Sequence, residues 1–268
     1  MALLTPPALS RHFHRFAWLA VALAVCVIVF GAFVRLSHAG LSCPDWPTCY
    51  GRAEWAQAAH EVSDRAATAI RPFETQKAWR EQLHRHLAAT LGALVLLLAV
   101  LAARKRRHGI AQVLLAAALV AAAIPLYMRG AHVAASVLAI LGEAVLLFAA
   151  LRWSNIDLAR ASALTLAVII FQALLGMWTV TWLLKPSVVM AHLMGGLTTF
   201  SLLTWMAWRA TDWPIRLVEA DMLRRWVIAG LALLGVQIAL GGWVSANYAA
   251  LSCGAGSWSA DNFPKCVG

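Results

Sequence analysis

The sequence predicts an all-α fold, a polytopic membrane helix bundle of about seven transmembrane helices. Three observations predict it. Of 268 residues, 62% are hydrophobic and 13% charged, where soluble domains average about 25% charged. The apolar residues gather into seven runs of roughly the length that crosses a bilayer. The basic residues crowd the ends of those runs, and the thirteen tryptophans fall mostly near run ends or in loops, as an interfacial belt would have them. The net charge of +10 does not point to nucleic acid, because no basic face with interleaved aromatics accompanies it.

Met1 to Arg15 is a short basic leader. Phe16 to Val34 is apolar throughout. A signal peptide with Ser37-His38-Ala39 as its cleavage site is the alternative. The run exceeds a signal core of about 7–15 residues, which favours a retained helix. Ser37 to Gln82 forms a polar loop without a span. It carries Cys43-Pro44-Asp45-Trp46-Pro47-Thr48-Cys49, where two prolines force a turn and the intervening residues let the thiols meet. A disulfide there implies the oxidising side of the membrane; two free thiols are the other reading. Ala53 to His60 gives a weak signal for a surface helix.

Helix 2 covers Leu83 to Ala103 and ends at Arg104-Lys105-Arg106-Arg107, the densest basic run. That run belongs in the cytoplasm, which puts the N-terminus there too and the Cys43/Cys49 loop outside. Residues 110–127 and 131–152 make two further spans joined by Met128-Arg129-Gly130. The first is broken by Pro125. The second carries His132 near its outer end and Glu143 mid-span, either a functional acid or a protonated carboxyl bonded to a neighbouring helix. Helix 5 covers Ala161 to Leu184, and Lys185-Pro186 turns into helix 6 at Val188 to Trp208. Helix 7 covers Trp226 to Ser245. The tail to Gly268 is then outside with Cys253 and Cys266, so seven spans put all four loop cysteines on one side. Cys26 reads as a small core residue.

An internal repeat runs through the chain. Gly31-x-x-Val34-x4-Ala39-x-Leu41-Ser42-Cys43 recurs 210 residues later as Gly241-x-x-Val244-x4-Ala249-x-Leu251-Ser252-Cys253. Gln172-x-x-Leu175-Gly176-x-Trp178 and Gln237-x-x-Leu240-Gly241-x-Trp243 match more weakly. Repeated halves are a known membrane architecture. Residues 1–222 read as a first half that includes the pair at about 110–152, and residues 223–268 as the start of a second.

Titratable groups beside an apolar helix are costly and mark candidate sites. His84 and His192 both lie about one turn inside the outer ends of their predicted helices, so they share a depth. Two neutral imidazoles on facing helices suit the two axial positions of a haem iron; packed or interfacial histidines are the plainer alternative. Glu81, three residues before His84, shares its helix face. It either exchanges protons at the edge of such a haem or is a solvated carboxylate favoured by the helix dipole. Arg35 and Arg85 stand at the level of the propionates, or simply snorkel to the interface. Gly176, Gly195 and Gly196 leave flat space near a macrocycle or let helices pack closely.

These residues carry a family resemblance. Gly31-Ala32-Phe33-Val34-Arg35-Leu36-Ser37-His38-Ala39-Gly40-Leu41-Ser42-Cys43-Pro44-Asp45-Trp46-Pro47 resembles the first-helix and loop signature of haem A synthases. Glu81-x-x-His84-Arg85 resembles their second-helix motif. Gln172-x-x-Leu175-Gly176-Met177-Trp178-Thr179-Val180 with His192-Leu193 is similar to their third and fourth helices. Gly241-Gly242-Trp243-Val244-Ser245-x-Asn247-Tyr248-Ala249-Ala250 resembles the opening of their second half. The resemblance implies a membrane oxidoreductase of two four-helix halves that turns a ring methyl of haem O into a formyl group, giving haem A for cytochrome oxidase. Carried over by motif, His84 and His192 ligate the substrate haem iron, Glu81 lies by the reacting methyl, and Cys43 and Cys49 form the loop disulfide. Haem O, haem O synthase and cytochrome oxidase assembly are the implied partners. Lipid surrounds the bundle, a homo-oligomer is allowed, and the membrane is the bacterial inner one. The pair at about 110–152 departs from the family pattern, and the family's C-terminal haem b site is expected to be missing. A haem-binding or haem-handing membrane protein without catalysis is the alternative.

Overall fold

The computed structural model describes residues 12–62, 72–155, 158–211 and 220–249. Seven long helices carry it: α1 (Phe13–Leu36), α2 (Thr75–Ala103), α3 (Gly109–Met128), α4 (His132–Arg152), α5 (Ala159–Thr181), α6 (Pro186–Arg209) and α7 (Ala220–Ala246). All seven are long and apolar enough to cross a membrane, and no strand occurs among the described residues. In hydrocarbon the backbone has no water to bond, so a helix that satisfies its own amides is the solution these apolar runs find. The protein is an integral membrane protein with the predicted all-α bundle.

Four helices close a ring: α1 packs on α2, α2 on α5, α5 on α6, and α6 back on α1. Helices α2 and α6 therefore stand on a diagonal. The α3/α4 pair lies outside the ring, with α3 against α2 and α4 against α5. Gly142 lets its two helices approach closely, since a Cβ there would come 2.9 Å from Val120 Cγ2 and 3.0 Å from the Ala116 carbonyl. Helix α7 touches the ring through α6, where Gly242 faces Met190 and Leu193.

The ring has two unlike ends. At one end it is tightly filled by Phe13, Ala17, Ala20 and Ala24 of α1, Val95, Leu98 and Ala102 of α2, Ala163 and Leu166 of α5, and Leu203 and Met206 of α6. Alanines at this spacing let membrane helices meet backbone to backbone. Arg106 at this end bonds the Ser154 carbonyl and hydroxyl, at 3.3 and 2.9 Å. The opposite end carries the cysteine loop and every candidate site residue. Trp46 of that loop meets Tyr127 at the end of α3 edge-on.

Several expectations need correction. Helix α2 begins at Thr75 rather than near Leu83, because Gln76 to Gln82 continue the helix without being apolar. Glu81 and His84 are therefore in its second and third turns, not its first. Pro125 does not break α3, which runs on to Met128; so near the C-terminus the lost bond is a small loss. Ala53 to His60 forms no helix beyond a single 3-10 turn at Ala59–Glu61. Cys26 is exposed on the outer face of α1 rather than in the core. Cys253 and Cys266 lie outside the described residues.

Candidate functional site

The cysteine loop is held by its own polar groups and by one face of α2. Cys43 and Cys49 are joined by a disulfide, and both are fully buried. Between them Asp45 acts as the hub. Its Oδ1 accepts the Tyr50 N–H at 2.6 Å, and its Oδ2 accepts the Gly51 N–H at 2.8 Å and the Thr48 hydroxyl. The Trp46–Pro47 peptide is cis, and Gly51 has φ +75°, a conformation that suits glycine.

Ala78, Glu81, Gln82 and Arg85 lie at helical i, i+3, i+4, i+7 spacing, so they form one stripe under this loop. Glu81 is only 4% exposed. Its Oε2 accepts the N–H groups of Ser42 at 2.6 Å and Cys43 at 2.9 Å, and its Oε1 pairs with Arg85 at 2.7 Å. Arg85 also donates to the carbonyls of Asp45 at 2.7 Å, Thr48 at 2.6 Å and Cys43 at 3.4 Å. Gln82 donates to the Ala53 carbonyl at 2.7 Å. The polar groups of the stripe thus bond either loop backbone or one another, as burial requires.

His84 points away from that stripe, towards α1. It rests against Gly31, where a Cβ would lie 2.9 Å from the imidazole Cε1. Its Nδ1 is buried and has no hydrogen-bond partner. His192 on α6 is seated in the same way on α5, where a Cβ at Gly176 would lie 3.3 Å from its Cε1. Here the second nitrogen is engaged. Gln172 donates its amide to the His192 carbonyl at 2.8 Å and meets His192 Nδ1 with its Oε1 at 3.0 Å. The two histidines come from diagonally opposed helices and are close enough to interact electrostatically. Among the described residues no three His, Cys, Asp or Glu side chains gather to hold a bare metal ion. The donor set is two imidazoles on diagonally opposed helices, each resting by its Cε1/Nε2 edge against a glycine of the neighbouring helix, which fits an iron porphyrin better than a naked cation.

Comparison with known proteins decides the family. The profile of the cytochrome oxidase assembly protein family COX15-CtaA matches residues 14–131 and 130–268. The chain belongs to the COX15-CtaA family. A similar curated protein is the Heme A synthase of Shewanella oneidensis, 35% identical over 244 residues that make up 87% of this chain and 58% of that protein. The chain therefore spans somewhat over half the length of the curated relative it matches. No solved structure matches it.

Against this family background the predicted site residues fall into three places. His84 and His192 stand on diagonally opposed helices of the ring, each against a glycine of its neighbour. Glu81 and Arg85 are brought together under the disulfide loop. Arg35 goes elsewhere: its guanidinium donates to the Ser245 carbonyl at 2.6 Å and covers the Tyr248 ring at 4.9 Å, tying the C-terminal ends of α1 and α7 together. Sequence reasoning gave no role to Gln172. The signal was present, since an amide in the middle of an apolar run is costly unless it is bonded.

Proposed function

We propose that this chain is a haem A synthase-like membrane oxidoreductase that converts the haem O ring methyl to a formyl group through successive hydroxylations. One observation carries the reading: two imidazoles stand on diagonally opposed helices of a four-helix ring, each seated on a glycine of the neighbouring helix. The family membership and the Heme A synthase relative favour the same chemistry.

In this reading His84 and His192 would hold the iron of the substrate haem, and the porphyrin iron would supply the redox chemistry. Gly31 and Gly176 let the imidazoles lie close against the neighbouring helices, and the other end of the bundle is packed with apolar side chains. Glu81 is the carboxylate on the haem-bearing helix nearest His84. Its bonds to Arg85 and to the Ser42 and Cys43 amides fix it in place under the loop. Arg35 and Arg85 reach propionates only by giving up the contacts described above. We assign Arg85 to holding the loop and Arg35 to holding α7.

The reading extends to context. The membrane is the bacterial inner membrane, with the N-terminus and the Arg104–Arg107 run in the cytoplasm and the disulfide loop outside, as the basic run favours. The chain divides near residue 222 into a haem O half and a second segment that repeats its opening motif. Haem O synthase and the cytochrome oxidase assembly machinery are its partners.

Pigment extraction tests the reading. The chain is expressed in cells that make haem O but no haem A. Haem A in the extract is the expected result. Haem O or haem b bound to the purified protein with no formyl product would overturn the enzymatic reading and leave a haem-binding protein.

A further inference from the structure

The two imidazoles are built alike but not held alike. Helices α1 and α2 repeat the relation of α5 and α6: Gly31 backs His84 as Gly176 backs His192. Four residues before the glycine, one turn back on the same face, stands Gln172 in α5 but Val27 in α1. The amide of Gln172 is nearly buried and lies flat on α6, where Gly195 has room for it; a Cβ at Gly195 would sit 2.8 Å from Gln172 Cδ. The position three residues after His84 is Leu87, which offers no such room. Val27 has nothing to donate or accept, and His84 Nδ1 is left buried without a partner.

The Gln172 contact also fixes the tautomer of His192. The amide nitrogen must face the His192 carbonyl, because only the nitrogen donates. Its oxygen then faces Nδ1, so Nδ1 carries the proton and Nε2 carries the lone pair. A histidine bonded through its outer nitrogen is locked in rotation and is a stronger metal ligand. His84 has neither advantage, and either of its nitrogens is free to carry the proton.

We propose that Gln172 is a positioning residue that makes His192 the permanent axial ligand of the haem and leaves His84 as the exchangeable one. This rests on the haem reading above and adds an order to its two ligands. The side that opens is then the α2 side, the helix that bears Glu81.

The test uses the full-length protein in detergent, loaded with iron protoporphyrin IX and reduced. In the His84→Ala variant the haem is expected to stay bound and five-coordinate. In the His192→Ala variant haem affinity is expected to drop at least tenfold below that of His84→Ala. In the His84→Ala background, resonance Raman reads the iron–histidine stretch, which follows hydrogen bonding at Nδ1 and is insensitive to general loosening of the fold. Gln172→Leu is expected to lower its frequency and Gln172→Glu, which keeps the acceptor and adds charge, to raise it. Should Gln172→Leu not fold, the Glu variant alone reads the contact. Equal haem loss in the two histidine variants, or a stretch that neither substitution moves, would overturn the proposal while leaving haem binding intact. A wild-type chain that takes up no haem at all would instead overturn the reading on which it rests.

Discussion

Gly31 and His84 are in such close contact that a single methyl group on the glycine would come 2.9 Å from the imidazole Cε1. Contacts that short do not persist, so a side chain at Gly31 displaces the ring. The helix itself tolerates or prefers alanine. Gly31→Ala is therefore expected to keep the fold and to weaken haem binding by about tenfold, the usual scale for disturbing a ligand's support. Gly92→Ala is the control: it lies on α2 with nothing within 4 Å of its would-be Cβ and should leave the haem titration unchanged. Equal effects of the two would remove the significance of the contact.

Arg85 offers a second prediction. It pairs with a nearly buried carboxylate and bonds three loop carbonyls. Arg85→Met would strand Glu81, and breaking one partner of a buried pair costs about 3–5 kcal/mol. The cost falls on the loop rather than on the ring. Limited proteolysis should cut between Ser37 and Thr75 at least tenfold faster in the variant, with the transmembrane helices still protected. Unchanged loop cleavage would contradict the assignment.

The Cys43–Cys49 disulfide closes a very short loop. Loop-closure entropy for a ring of that size contributes about 2 kcal/mol. Reduction, or the Cys43→Ser/Cys49→Ser double variant, is expected to lower Tm by a few degrees while Glu81 loses its ordered amide partners. A thermal melt of the oxidised and reduced protein measures it, and identical midpoints would show that Asp45 and Arg85 suffice to hold the loop.

The α3/α4 pair stands outside the ring, and its two helices approach closely at Gly142. Gly142→Val forces the Val120 side chain and the Ala116 backbone apart, at about 1–3 kcal/mol. The variant is expected to melt earlier yet to bind haem with an unaltered absorption spectrum. A changed Soret band would mean that the pair shapes the site.

Much of this was legible in the sequence, for identifiable reasons. Long uncharged runs fixed the seven helices because hydrocarbon permits few other structures. The Cys43/Cys49 pairing followed from local spacing and two prolines. His84 and His192 stood out because imidazoles are rare at that depth. What escaped notice depended on contacts between distant segments. The start of α2 at Thr75 is set by the stripe Ala78, Glu81, Gln82 and Arg85, which is polar because it meets loop backbone rather than lipid. The partners of Glu81 are main-chain amides, which no side-chain pattern announces. Cys26 looked like core by composition, yet helix rotation turns it outwards. Arg35 stood out near the end of its helix, but its partner is the end of α7, more than two hundred residues away.

The central claim is that His84 and His192 hold one porphyrin iron between them. Optical spectroscopy of the purified, haem-loaded protein tests it most directly. The wild type should give a six-coordinate low-spin spectrum, and His84→Ala and His192→Ala should each abolish it. A Soret band and spin state unchanged in either variant would contradict the account.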